Sequence, residues 1–310
     1  MIKFAFVFPG QGSQAVGMLN VFADNAAVRE TVAEASAALQ CDLGALIAEG
    51  PKEALDLTTN TQPVMLTAAV AFYRAWIAAG GAVPAMVAGH SLGEYAALVA
   101  AGTLSFAEAV PLVRFRAQAM QDAVPVGQGG MAAILGLADE DVRLACRDAA
   151  QGEVVEAVNY NAPMQVVIAG HKAAVNRACE LAKQRGAKRA VLLAVSAPFH
   201  SSLLQPASAR LREYLAPMSF MRPQIVLINN VDVAVVNDVE DIKDALVRQA
   251  ARPVRWTETV QTMAASGVTH LIECGPGKVL TGLTKRIDAS LTGEALADPA
   301  ALDKIMELLK

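Results

Sequence analysis

Val83-Pro-Ala-Met-Val-Ala-Gly-His-Ser-Leu-Gly-Glu-Tyr-Ala-Ala-Leu98 is the stretch from which the rest of the chain can be read. Residues 85–88 are a short apolar run of the length expected for a buried strand. Gly89-His90-Ser91-Leu92-Gly93 follows, and an Ala-rich pattern at helical spacing then runs to Ala101 and stops at Gly102. The order is strand, sharp turn, helix, with G-x-S-x-G at the turn. Glycines flank Ser91 because a tight elbow leaves no room for Cβ atoms where strand and helix nearly touch. Such an elbow lifts the Ser91 hydroxyl out of the sheet beside a helix N-terminus, whose free N–H groups can bind a developing oxyanion. A Gly-rich turn with an incidental serine is the plainer alternative. The flanking strand and helix patterns are the context a nucleophile requires.

The 310 residues suggest two domains, or one large domain with an insertion. With 54% hydrophobic and 18% charged residues, a sizeable core is expected and extensive disorder is not. No uninterrupted apolar run is long enough for a membrane span, since Arg74 breaks residues 64–79. The N-terminal residues read as a first buried strand rather than a signal peptide. Cys41, Cys146, Cys179 and Cys274 lack CxxC spacing, which argues against a metal site or a disulfide framework and for reduced thiols in a cytoplasmic protein. A net charge of −4 gives no support for nucleic-acid binding.

Along the chain, a strand over 4–8 leads into Gly10-Gln11-Gly12-Ser13-Gln14. That loop lacks both G-x-G-x-x-G and the lysine of a P-loop, so a nucleotide-binding reading is weak, though its N–H groups could still serve a different anionic centre. Asp24 is expected to cap a helix over 25–39, and another helix is expected over 63–79. Ser105-Phe-Ala-Glu108 is a capping box opening a helix to about Asp122, with a kink or a later start at Pro111. From 126 to 196 the pattern changes to strand 131–137, helix 139–150, strands 153–159 and 165–169, helix 171–185 and strand 189–195. This β-α-β-β-α-β order is ferredoxin-like and marks a small inserted subdomain over 126–196. Residues 1–125 and 197–310 would form the large α/β subdomain, its mostly parallel sheet closing with strands at 225–229 and 269–274 and a last helix to Ile287.

A serine nucleophile needs a base, and there are four histidines. His90 adjoins Ser91, but neighbouring side chains at a sharp turn diverge. His171 opens a surface helix, and His270 fits an ordinary sheet position. His200 lies in the Ser196-Ala-Pro-Phe-His200 loop where the chain re-enters the large subdomain, a placement common for active-site residues. Position favours His200 without deciding the matter.

Gly10-Gln11-Gly12-Ser13-Gln14, Gly89-His90-Ser91-Leu92-Gly93-Glu94, Arg116, Pro198-Phe199-His200, Gln249-x-x-Arg-Pro-Val-Arg-Trp256 and Glu273-Cys-Gly-Pro-Gly-Lys-Val-Leu280 come in that order. Together they resemble the malonyl-CoA:acyl carrier protein transacylases of fatty-acid synthesis, over nearly the whole chain. The resemblance implies a three-layer α/β-hydrolase-like large subdomain with a ferredoxin-like insert, in agreement with the pattern above. It implies Ser91 as acyl-bearing nucleophile, His200 as base, and the N–H groups of Gln11 and Leu92 as oxyanion hole. It implies Arg116 as partner of the malonyl carboxylate and the main-chain carbonyl of Gln249 as the group orienting the histidine. Phe199, Asn159 and Met120 (one turn beyond Arg116) complete the expected substrate-binding set. Malonyl-CoA and acyl carrier protein are the expected partners, with no metal or cofactor, for a monomer working away from membrane and nucleic acid.

Three other readings share the elbow. A serine esterase or thioesterase has no use for a fixed cation such as Arg116. A stand-alone acyltransferase of polyketide synthesis or of a malonate decarboxylase system differs in its carrier rather than in these residues. A non-catalytic scaffold would not need both Ser91 and His200.

Overall fold

In the computed structural model, which describes residues 2–310, nine strands are seen among the described residues. In chain order they are β1 (Phe4–Phe8), β2 (Met86–Gly89), β3 (Gly129–Leu135), β4 (Val155–Ala162), β5 (Gln165–His171), β6 (Arg189–Leu192), β7 (Val226–Leu227), β8 (His270–Glu273) and β9 (Thr292–Ala295). β7–β2–β1–β8–β9 form one sheet, and every neighbouring pair in it is parallel. Parallel strands need crossover helices, which cover both faces and bury the strands completely. β1 is accordingly Phe-Ala-Phe-Val-Phe with all five residues buried.

Its side chains alternate between two cores. Phe4, Phe6 and Phe8 face the helix Thr58–Ala78, with Phe6 edge-on to Trp76 at 5.4 Å and to Tyr73 at 5.9 Å. Ala5 and Val7 point the other way, into a cluster with Trp256, Val260, Met263 and Leu283 from the helices Trp256–Ala265 and Val279–Ile287. Burying each such phenylalanine contributes about 1.5–3 kcal/mol. Helix, sheet and helix make the three expected layers. The helix Thr58–Ala78 is apolar nearly all round because further helices, Ala26–Leu39 and Phe106–Asp122, cover its outer side.

The second sheet is β4–β5–β3–β6, antiparallel throughout, with the helices Asp139–Ala150 and Lys172–Gln184 sharing one core with it. This is the ferredoxin-like arrangement. β4 also joins the larger half through backbone bonds, Tyr160 N–H to Val254 O at 3.0 Å and Val254 N–H to Val158 O at 2.9 Å.

Several expectations need correction. Asn25, not Asp24, caps the first long helix, its side chain accepting from Val28 N–H at 3.2 Å. The helix expected from Pro63 begins at Thr58, so Pro63 sits inside it rather than at its start. The helix at Ser105 starts where the capping box places it, at Phe106, and continues past Pro111. The strand expected over 225–229 is only Val226–Leu227. The helix ending at Ile287 is not the last: β9 and the helix Pro299–Leu308 follow it. Short helices at Leu43–Glu49 and Lys52–Leu55 were also not anticipated.

Candidate active site

The loops that follow β1, β2 and β7 meet at the carboxyl edge of the parallel sheet, where open α/β sheets place their ligands. The elbow after β2 is as tight as its glycines require. A Cβ on Gly89 would lie 1.8 Å from the Gly93 carbonyl carbon, and one on Gly93 would lie 2.1 Å from Phe8 O. Ser91 itself has φ of +52°, a left-handed conformation that costs a non-glycine residue of order 1–3 kcal/mol. His200, with φ of +66°, is strained in the same way. Both residues are therefore held by their surroundings.

Those surroundings are hydrogen bonds. Asn230, just beyond β7, accepts from Ser91 N–H at 2.7 Å and donates through Nδ2 to Gly89 O at 2.7 Å, clamping both sides of the elbow. The Gln249 side chain donates to Ser91 O at 3.0 Å. His200 Nδ1 lies 2.8 Å from the Gln249 main-chain carbonyl, which can only accept, so Nδ1 carries the proton. Nε2 is then bare and faces Ser91 Oγ at 2.7 Å as acceptor. Burial, and next the charge of Arg116, push the His200 pKa down to about 3, so the imidazole is neutral at pH 7.

Arg116 is 2% exposed and donates to Gln62 Oε1 at 2.8 Å, Gln249 Oε1 at 2.8 Å and Ser91 Oγ at 3.1 Å. Its guanidinium also lies over the Tyr95 ring, 5.3 Å from the centroid. Burial lowers its pKa from the ordinary arginine value, partly offset by Tyr95 and Glu94. None of its hydrogen-bond acceptors is a carboxylate, so its charge has no directly contacting counter-ion.

A cleft of about 660 Å³ opens over this group. Gln11, Ser91, Leu92, Arg116, Met120, Asn159, Phe199 and His200 all line it, so the structure gathers eight of the nine expected site residues at one cavity. Gln249, the ninth, lies behind them and reaches Ser91, His200 and Arg116 by hydrogen bonds. The backbone N–H groups of Gln11 and Leu92 have no hydrogen-bond partner among the described residues. The smaller sheet supplies the opposite wall through Met131, Asn159, Asn161 and Val167.

Of the other three histidines, His90 also lines the cleft, whereas His171 and His270 lie away from it. His90 is half-buried against Trp256, with Nε2 2.8 Å from Asn161 Oδ1 rather than on Ser91 Oγ. His171 accepts from Val154 N–H at 3.0 Å, and His270 pairs with Thr269 on β8. Four residues of the site were not singled out from sequence: Gln62, Glu94, Asn161 and Asn230. Glu94 carried a signal, an acid in an otherwise apolar helix directly after the elbow. Asn230 carried a weaker one, ending the apolar run of a strand. The neutral amides of Gln62 and Asn161 carried none. No group of three or more His, Cys, Asp or Glu side chains disposed to hold a metal occurs among the described residues. Nor is any helix there long and apolar enough to cross a membrane.

Residues 5–294 match the family model described as "Acyl transferase domain". The chain is 56% identical over 309 residues to the malonyl CoA-acyl carrier protein transacylase of Escherichia coli strain K12, covering 99% of this chain and 100% of that one. Among solved structures it resembles the acyl-carrier-protein S-malonyltransferase of Burkholderia pseudomallei 1710b, with 69% identity, a TM-score of 0.97, and coverage of 99% of this chain and 100% of the other. It also resembles a malonyl-transacylase solved in complex with its type II polyketide acyl-carrier protein, with 50% identity, a TM-score of 0.98 and 99% coverage of both chains. The chain belongs to the acyl transferase domain family, and within it to the malonyl CoA-acyl carrier protein transacylases.

Proposed function

We propose that the protein transfers the malonyl group from malonyl-CoA to the phosphopantetheine thiol of an acyl carrier protein through a malonyl-serine intermediate. The observation that carries this is the Arg116 guanidinium 3.1 Å from Ser91 Oγ, buried and without a directly contacting carboxylate. In a malonyl ester the free carboxylate stands three bonds from Oγ, within reach of that cation. An esterase would gain nothing from burying such a charge, because an unpaired buried ion is costly.

Ser91 Oγ gives its proton to His200 Nε2 and attacks the thioester carbonyl carbon. The oxyanion formed takes hydrogen bonds from the N–H groups of Gln11 and Leu92, each worth about 3–4 kcal/mol in comparable acyl transfers. The C–S bond breaks, and the coenzyme A sulfur takes the proton from His200. The carrier's thiol then gives its proton to the same Nε2 and attacks the acyl-serine. Ser91 Oγ leaves and recovers the proton. The Gln249 carbonyl holds the imidazole in one tautomer and steadies the imidazolium, the part an aspartate takes in a triad. Met120, Phe199 and Asn159 shape the acyl end of the cleft, and no metal or cofactor enters any step. The division at residues 126–196 fits this scheme, because the insert forms the wall opposite Ser91.

The test is to mix the protein with malonyl-CoA and a phosphopantetheinylated carrier protein. Malonyl-carrier should accumulate well ahead of free malonate; release of malonate without carrier loading would favour the hydrolase. The polyketide-carrier relative makes a type II polyketide carrier worth testing as a second acceptor.

A further inference from the structure

One buried ionisable group of the site takes no part in these steps. Glu94 lies in the helix Gly93–Ala100 among Gly, Tyr, Ala, Leu and Val and is 2% exposed. Its Oε2 accepts from Asn230 N–H at 3.1 Å and from Gln249 Nε2 at 2.8 Å. Burying a carboxyl in such a place is costly unless it has work to do.

We propose that Glu94 is a positioning residue: as a fixed acceptor, it holds the Gln249 side-chain amide with its carbonyl toward Arg116, and so sets the preference for a carboxylated acyl group. The proposal rests on the reading of Arg116 as the carboxylate's partner.

A glutamine amide has nearly the same shape either way round, so its neighbours choose the orientation. On one side stand Ser91 O at 3.0 Å, which only accepts, and Glu94 Oε2, already committed as acceptor by the Asn230 N–H. On the other stands Arg116 Nη2 at 2.8 Å, which only donates. The NH2 end of Gln249 must therefore face Glu94 and its carbonyl must face Arg116. Without Glu94 the NH2 end keeps one acceptor of two, and Asn230 N–H is left unpaired. In the reversed amide, NH2 would face guanidinium, donor against donor. Arg116 would then lose one of its three acceptors and its alignment beside Ser91 Oγ. A carboxylate in direct contact with Arg116 would instead compete with the substrate's own. Glu94 stands one amide away from the guanidinium, where it orders the cation without neutralising it at the binding edge.

The measurement is the ratio of kcat/KM for malonyl-CoA to that for acetyl-CoA in Glu94→Leu, Glu94→Gln and Gln249→Met. Loss of one hydrogen bond to a charged group corresponds to about tenfold. Glu94→Leu and Gln249→Met should lower the ratio by about that factor or more, chiefly through a higher KM for malonyl-CoA. Glu94→Gln should hold it within about twofold, because its side-chain carbonyl can accept the same two N–H groups. The proposal is overturned by a parent-like ratio in folded Glu94→Leu or, should that variant not fold, in Gln249→Met. It is equally overturned if Glu94→Gln loses the ratio as fully as Glu94→Leu, since charge rather than orientation would then be at work. Arg116→Ala separates the two levels. A ratio kept there overturns the reading of Arg116 itself, whereas a ratio lost there but kept in Glu94→Leu overturns only the part given to Glu94.

Discussion

Arg116 and His200 are coupled through charge, and that coupling gives two predictions at the scale of single residues. The guanidinium sits beside Ser91 Oγ and its field is the second cause, after burial, of the low His200 pKa. With an acetyl group bound it would remain buried and unpaired by any carboxylate. Removing one partner of a buried pair costs about 3–5 kcal/mol, or roughly two to three and a half powers of ten. Arg116→Ala should therefore lower malonyl transfer sharply and acetyl transfer little. Arg114→Ala, on another face of the same helix, should keep the parent preference, as read from kcat/KM for the two thioesters. The second prediction concerns pH. The proposed base, His200, would work in its neutral form, and its pKa is depressed to about 3, so the acid limb of kcat/KM for acetyl-CoA should lie well below the ordinary histidine value near 6.5. Removing the positive charge in Arg116→Ala should move that limb upward. Burial pushes Glu94 up to about 7, so an inflection near neutrality that vanishes in Glu94→Gln reports Glu94 rather than the base. At this scale the G-x-S-x-G motif made Ser91 readable alone, whereas His200 needed its loop context and then the family resemblance. Gln249 acts through both a backbone carbonyl and a side-chain amide, and composition marks neither.

At the scale of elements the elbow is the decisive piece. Its glycines allow strand and helix to touch, but they do not hold Ser91 at φ of +52°; the Asn230 side chain does, from the far side of β7. Asn230→Ala should leave Ser91 N–H and Gly89 O buried and unpaired, at about 1–3 kcal/mol each, with a matching fall in the denaturant midpoint. Asn230→Asp should be no milder, because a carboxylate oxygen would then face Gly89 O. An unchanged midpoint in both variants would show that the clamp adds nothing. Elements with a strong period were the ones the sequence revealed: β1 and the amphipathic helix Asp139–Ala150, whose expected ends match the structure, and the elbow helix, which ends at Ala100, one residue before its expected end. β9, Thr-Gly-Glu-Ala, has no apolar run because it is a half-buried edge strand, so hydrophobic patterning could not find it. The helix after it did carry a start signal, Asp298 followed by Pro299, with Asp298 accepting from Ala301 N–H at 2.7 Å. Pro63 misled in the opposite sense, since a proline in the second turn of a long buried helix was taken for its first residue.

Across the whole molecule the site depends on two sheets that fold around separate cores and meet at the cleft. One tie between them bears directly on the base. Glu156 of β4 accepts from Ser202 N–H at 2.7 Å and from Ser202 Oγ at 2.9 Å, pinning the chain two residues beyond His200. Hydrogen bonds to a charged group contribute about 1.5–3 kcal/mol, so Glu156→Ala should lower kcat by about tenfold, with Glu156→Gln recovering part of the loss. A parent-like kcat in Glu156→Ala would show that the smaller sheet does not help to hold the histidine. The β-α-β-β-α-β order of the insert was readable because its six elements are local and periodic. The meeting of its inner face with Ser91 was not, because contacts between halves leave no trace in one-dimensional spacing. The central claim, that these halves enclose a serine which carries the malonyl group between two thiols, is tested most directly by intact-mass analysis with peptide mapping after mixing with malonyl-CoA. The account predicts one malonyl increment per chain, mapped to Ser91, absent in Ser91→Ala and lost on adding phosphopantetheinylated carrier protein. An increment that persists in Ser91→Ala, or that carrier protein does not remove, would contradict it.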